Sequence, residues 1–221
     1  MTTTTMTSKP KGRKRSKQPR YSALITKEEL AALPTAQFIG RIELIETKRA
    51  MREALRVLRK CDAIGIDTET KPSFKPGQRH EVSLLQLSTD EVCYLFRLNK
   101  IGLAEELIRL LENSKILKIG LSLKDDILAM RRLALVAPEG MVELQKLCPG
   151  YGIRVESLQK IYGIMFGEYM SKGQRMSNWE AKQLTNAQQA YAALDAWACL
   201  RIYRELMRHD TPNPTLFALL Y

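Results

Sequence analysis

The stretch AIGIDTET, residues 63–70, decides the reading of this chain. It begins as a buried strand: Ala63, Ile64 and Ile66 are apolar, and Gly65 has no side chain. It ends in two acids, Asp67 and Glu69. Side chains alternate along a strand, so Asp67 and Glu69 share one face while Ile64, Ile66 and Thr68 turn to the other. Gly65, two residues ahead of Asp67, falls on the acidic face and leaves room there. A lone Asp-x-Glu carries little weight in a chain with 24 acids. The apolar lead-in sets this one apart, because strand acids at a surface normally alternate with apolar residues instead of ending a run of them.

The surroundings fit an ordinary globular domain. The 221 residues are 45% hydrophobic and 27% charged, enough for one good-sized core. No apolar run approaches the roughly 20 residues of a membrane span, and the N-terminus has no apolar secretory segment. Cys61, Cys93, Cys148 and Cys199 are far apart and form no CxxC pair, which argues against zinc and against a disulfide framework. Reduced thiols and a cytoplasmic location are expected. The net charge is +11, but residues 1–20 hold seven Lys/Arg and no acid, so removing them leaves +4. That segment has little to bury and is expected to be a disordered basic tail. It either adds sequence-independent attraction to phosphates or only keeps the protein soluble. Residues 21–221 are expected to form one domain.

Outward from residues 63–70 the pattern is mixed. TKEELAAL, with Thr26 and Glu29 three apart, predicts a capping box and a short helix. FIGRIELIE (38–46) predicts a strand and TKRAMREALRVLRK (47–60) an amphipathic helix. EVSLLQLST (81–89) and EVCYLFRL (91–98) predict two strands joined as a hairpin at Thr89-Asp90. These early strands are consecutive and suggest an antiparallel meander. GLAEELIRLLEN predicts a helix, KILKIG (115–120) a strand, and SLKDDILAMRRLAL and VESLQKIYG further helices. A last helix runs from about Ala187 to Arg208. The fold class is α/β, a mixed sheet flanked by helices on both faces.

Two more acidic segments follow. In KIGLSLKDDILAM, Asp125 and Asp126 fall in the first turn of a helix. With Ser122 as N-cap, Asp125 takes the third helical position and has a capping role; Asp126 has none and is the better functional candidate. In YAALDAWACLRIY, Tyr191 and Asp195 are four apart and share one helical face. Ala187, Ala190, Ala192, Ala193, Ala196 and Ala198 crowd the same helix, and small residues of this kind let it lie close against its support. If Asp67, Glu69, Asp126 and Asp195 meet at one end of the sheet, each pair of charges ~4 Å apart costs about 4 kcal/mol at an effective dielectric near 20. Several such pairs rival the whole stability of a domain, roughly 5–15 kcal/mol. The cluster must be protonated or hold cations. Oxygen donors alone select hard divalent ions such as magnesium or manganese, and four carboxylates around two such ions suit in-line phosphoryl displacement.

GIDTET, KIGLSLKDD and YAALDAW resemble the three ordered motifs of the DEDD superfamily of 3′-5′ exonucleases, and Tyr191-x-x-x-Asp195 resembles its tyrosine branch, the branch of ribonuclease D and the Werner exonuclease domain. The resemblance covers roughly residues 37–207, including VSLLQLST after the first motif and SNWEAKQLTNAQQAYAALDAWA at the third. It implies a ribonuclease H-like fold, two divalent metal ions and removal of nucleoside 5′-monophosphates from a nucleic-acid 3′ end. By motif, Asp67 would bridge both ions, Glu69 and Asp195 would hold the ion that activates water, and Asp126 the other. Tyr191 would position or deprotonate the water. No small-molecule cofactor and no membrane partner are implied. The alternative is a non-catalytic nucleic-acid-binding module of the same fold; against it, none of the four acids nor the tyrosine is missing.

Substrate contacts are sought in basic loops. KPSFKPGQRH (71–80) directly follows the acidic strand, and Lys71, Phe74, Lys75 and Arg79 there are candidates for holding a single strand by charge and stacking. The competing reading is a solvated loop with Phe74 tucked into the core. Lys172 and Arg175 of SKGQR (171–175) form a second candidate group, and Thr68 is counted with the substrate contacts. Trp179 reads as core, and His80 and His209 as background.

Overall fold

The computed structural model describes residues 20–209, so the basic segment 1–19 and residues 210–221 lie outside it. Six strands form one sheet in the order β1-β4-β3-β2-β5-β6. They are β1 (Arg41–Ile45), β2 (Ala63–Thr70), β3 (Val82–Ser88), β4 (Val92–Arg97), β5 (Leu117–Gly120) and β6 (Met141–Glu143). Strands β2, β3 and β4 are the expected antiparallel meander, with the β3–β4 hairpin closed by the Thr89 N–H on the Val92 carbonyl. The first strand departs from that expectation. It lies beyond β4 and parallel to it, at the sheet edge. The reason is the helix α2 (Lys48–Leu58) between β1 and β2: a tight turn can reverse a strand, but a helix must cross over a face of the sheet and return parallel. Strand β6 has only three residues, too few for a period to register in sequence.

The alternation of β2 divides the core. Ile64 and Ile66 pack with Leu85, Leu87 and Phe96 against Met51, Leu55 and Leu58 of α2, Leu107 and Leu111 of α4 (Glu105–Leu111) and Met130 of α5 (Leu123–Leu133). On the other face Leu84, Cys93 and Leu95 meet Trp179 and the long helix α8 (Asn186–Met207), while Ala63 and Ile119 meet Leu200 of α8 and Ile161 and Tyr162 of α7 (Leu158–Phe166). Each of these aliphatic side chains contributes about 1.5–3 kcal/mol on burial. The short helices α1 (Lys27–Ala31), α3 (Leu98–Ile101) and α6 (Leu144–Leu147) and a 3-10 turn (Cys148–Tyr151) complete the elements of the described residues. Helix α1 starts with the predicted Thr26–Glu29 capping box, and α8 starts with one formed by Thr185 and Gln188.

Gly65 sets how closely α8 approaches. A Cβ there would stand 1.9 Å from the Ala196 carbonyl oxygen, inside any permitted contact. The sheet and α8 therefore meet backbone to backbone at Ala196, the residue next to Asp195. Gly65→Ala should force the helix away and lower stability by at least about 3 kcal/mol, the upper range for overpacking. A melting temperature within about 2 °C of wild type would show that α8 is not held at that distance.

Candidate active site

The close approach of α8 to β2 brings the first and third acidic segments together. Asp67, Glu69 and Asp195 each offer a carboxylate oxygen, and the three oxygens lie within 4.8 Å of one another. Asp126 lies outside that trio; its Oδ1 accepts the Thr68 hydroxyl. Thr68 is thus a support for Asp126 across the strand end, and it also lines the cavity over the acids. The register of β2 slips between Glu69 and Thr70, so the regular ladder ends just past the second acid.

All four carboxyls are pushed toward the neutral form. Burial is the first cause for Asp67, followed by the charges of Asp126, Asp195 and Glu69, and its pKa lies well above the ordinary value. Burial and then Asp195 and Asp126 carry Glu69 to about 9. Burial takes Asp195 to about 7 despite the Tyr191 hydroxyl and Lys172, which favour its charged form. Asp126 rises to about 6 through burial and the neighbouring Asp125 and Glu143, opposed by the Thr68 hydrogen bond. Tyr191 is raised as well, first by burial and then by Asp195, so its hydroxyl keeps its proton. Its ring centroid lies 6.1 Å from that of Trp179, which is fully buried as the sequence suggested.

The start of α5 differs from expectation. Ser122 makes no side-chain cap and sits in the left-handed region at φ 63°. The Glu143 carboxylate of β6 does that work instead: it accepts the N–H groups of Ser122 at 3.1 Å and Leu123 at 2.9 Å, and also that of Gln145 at 3.0 Å. A cap from a distant strand replaces the local one because the β5–α5 turn is too sharp for Ser122 to adopt the extended backbone of an N-cap. Asp125 is left exposed without the predicted capping bond, and Asp126, one residue on, reaches Thr68.

A cavity of ≈ 480 Å³ opens over the acids, lined by Asp67, Thr68, Glu69, Tyr191 and Asp195 and by Lys172 and Arg175. Lys172 favours the charged form of Asp195 and Arg175 that of Glu69. The loop after β2 lies differently. Lys71, Phe74, Lys75 and Arg79 do not line this cavity. Lys71 is 3.1 Å from Glu180, and Phe74 is 78% exposed, neither tucked into the core nor facing the acids. His80, which sequence left as background, lies 2.8 Å from the same Glu180. Glu180 therefore ties the loop after β2 to the loop that carries Lys172 and Arg175. Buried Arg97 holds that second loop from below, donating to the Ala181 carbonyl at 2.5 Å. Sequence also missed Gln86. It stands directly across from Asp67, is fully buried, and its amide has no hydrogen-bond partner among the described residues.

The match to known proteins is decisive on kinship. The family model described as 3′-5′ exonuclease matches residues 42–209. The chain belongs to the 3′-5′ exonuclease family. The mouse (Mus musculus) bifunctional 3′-5′ exonuclease/ATP-dependent helicase WRN is 35% identical over 151 residues, 66% of this chain but 11% of that protein. The EXO domain of Nibbler from Aedes aegypti superposes with a TM-score of 0.75 at 23% identity, covering 85% of this chain and all of that one. Escherichia coli RNase D superposes with a TM-score of 0.69 at 24% identity, covering 76% of this chain and 44% of that one. These superpositions agree with the mixed, ribonuclease H-like sheet of this family member. The chain thus spans about a tenth of the mouse protein. Among its described residues no helix is long and apolar enough to cross a membrane.

The trio of carboxylates offers only oxygens, the donor set that magnesium and manganese prefer, and its members repel one another when ionised. The sign of the pH dependence follows. These groups have folded pKa values above the ordinary carboxylate range near 4, so the stability they contribute is full below about pH 4. It is lost as pH rises through about 6, 7 and 9, the values of Asp126, Asp195 and Glu69. In chelator, the melting temperature should therefore fall between pH 6 and pH 9 by on the order of 5 °C. Divalent metal should restore it at pH 9, by about 2.7 kcal/mol at a hundredfold excess over Kd. A melting temperature that rises with pH in chelator would contradict the burial of this cluster.

Proposed function

We propose that the protein is a metal-dependent 3′-5′ exonuclease that hydrolyses nucleic-acid phosphodiester bonds from a 3′ end and releases nucleoside 5′-monophosphates. The observation that carries this reading is the close trio Asp67, Glu69 and Asp195, half-buried to buried, beside Asp126 and under a cavity that also presents two cations. We take residues 21–221 as the catalytic domain, which contains the matched segment 42–209. DNA and RNA 3′ ends are both admitted as substrates.

Asp67 and Glu69 of β2, Asp195 of α8 and Asp126 of α5 would hold two divalent ions, magnesium or manganese. Two such ions supply charge neutralisation for the carboxylates and stabilise negative charge on the attacking and leaving oxygens of an in-line displacement. The chain's own groups do the rest. Lys172 and Arg175 pair with the phosphate oxygens and hold the strand's end over the acids. The protonated Tyr191 hydroxyl orients the attacking water in line with the scissile bond, a positioning role and not that of a base. Glu180 fixes the loop that brings the two cations to the cavity, so it governs substrate affinity without touching the reaction.

Four variants separate these roles. Asp67→Asn and Asp195→Asn should lower turnover by at least about 10²–10³-fold while keeping the circular dichroism spectrum. Tyr191→Phe should slow turnover about 10²-fold and leave the manganese concentration for half-maximal rate unchanged. Glu180→Gln should raise KM with little change in kcat. The readout is the product ladder from 3′- and 5′-labelled DNA and RNA with magnesium, manganese or chelator. Full activity of either aspartate variant, or ladders that shorten from the 5′ end, would overturn the reading.

A further inference from the structure

Three buried side-chain polar atoms have no hydrogen-bond partner among the described residues: both amide atoms of Gln86 and the Trp179 indole nitrogen. Gln86 is the more demanding case. Its side chain is fully buried, and an amide left unbonded out of water loses the hydration of a donor and an acceptor together. An apolar side chain of similar size fills such a place at no such cost, so packing alone does not account for the amide.

Its place in the sheet does. The row through this position runs Leu44 of β1, Leu95 of β4, Gln86 of β3 and Asp67 of β2. Partners in register share a face, so Gln86 has a leucine on one flank and the Asp67 carboxyl on the other. Its diagonal neighbours on β2 are Gly65, which has no side chain, and Glu69. Two residues back along β3, Leu84 packs with Leu95, Trp179 and the alanines of α8. Two residues on, the Ser88 hydroxyl donates to the Thr89 carbonyl at 2.9 Å. The Trp179 N–H only donates, so it suits the amide oxygen and not the amide N–H. On the β2 flank the acceptors are the Asp67 and Glu69 carboxyls. Asp67 is the one directly opposite, and Cβ atoms of such pairs lie about 4.5–5.5 Å apart, within reach of a glutamine amide.

We propose that Gln86 is a positioning residue for Asp67: its amide N–H donates to the carboxylate as Asp67 takes up a divalent ion, and so holds the oxygens in the orientation the ion needs. The assignment rests on the metal-dependent reading of the site and adds to it a support from the sheet itself. An ionised carboxylate only accepts, so the amide turns its N–H toward it. Carboxylates that ligate metals are commonly held by a further hydrogen bond of this kind, which fixes their orientation. Gln86 touches neither substrate nor the reacting atoms and acts only through Asp67.

Two substitutions in this row test the role. Gln86→Met keeps the length of the side chain and removes the amide. Leu95→Met changes the other flank of Gln86 and faces no acid. Each is compared with wild type by its melting temperature in chelator and by its manganese affinity in a calorimetric titration. In chelator, Gln86→Met should melt at or above the wild-type temperature, because an unbonded buried amide is gone. Its manganese affinity should nevertheless fall about tenfold or more, the usual effect of losing a group that orients a metal ligand. Leu95→Met should bind manganese as wild type does. If Gln86→Met fails to fold, Gln86→Leu takes its place with the same expectation. Manganese affinity equal to wild type in the Gln86 variant is the outcome of a space-filling role, and it overturns the proposal. So does an equal loss of affinity in Leu95→Met, which traces the effect to packing. A melting temperature in chelator well below wild type for both Gln86 variants also overturns it, because the amide would then serve the metal-free fold. A wild type that binds no manganese would instead overturn the metal-dependent reading itself, and the positioning role with it.

Discussion

Carboxylates held out of water beside one another are the constraint that the rest of the structure answers to. Asp67, Glu69 and Asp195 stand within reach of one ion, and their burial makes each charge expensive. A fold can tolerate that arrangement only if the surrounding core contributes more than the cluster costs. The core does so from both sides of β2, through Ile64 and Ile66 toward α2, α4 and α5, and through Leu84 and Leu95 toward α8. The strand that carries the acids is thus buried from Ala63 to Ile66 and first opens toward solvent where Asp67 and Thr68 reach the site.

Two polar devices extend that rigidity to parts that lack a core. Glu143 caps α5 from the neighbouring strand and so fixes the helix that presents Asp126. Glu180, with Lys71 and His80, joins the two loops at the mouth of the cavity, while Arg97 and Lys100 hold the 181–182 backbone from beneath. In each case a buried or half-buried charge meets groups far off in sequence. Such contacts need the assembled sheet to bring their partners together.

Sequence patterns were read correctly wherever the cause is local. The alternation that turns Asp67 and Glu69 together, the four-residue spacing of Tyr191 and Asp195, and the Thr26–Glu29 box all depend on neighbours along the chain. Gly65 was read only as leaving room on the acidic face; that the α8 backbone fills this room at Ala196 came from the tertiary structure. Reading failed where partners are remote. Ser122 has the right residue type and spacing for a cap, but the turn it occupies is set by packing between β5, α5 and β6. Lys71 looked like a free cation until Glu180 came to it across more than a hundred residues. Nothing in the local pattern marked Gln86 or His80.

The sequence by itself determined which side chains exist to do chemistry and which face of each element they occupy, because helix and strand periods are properties of the backbone. It also determined the kinship, since the three acidic segments keep their order. Tertiary structure alone decided how close those faces come, which strand neighbours which, and which charges are spent on one another. Those outcomes depend on distances between segments, and distance between segments is the quantity that folding creates.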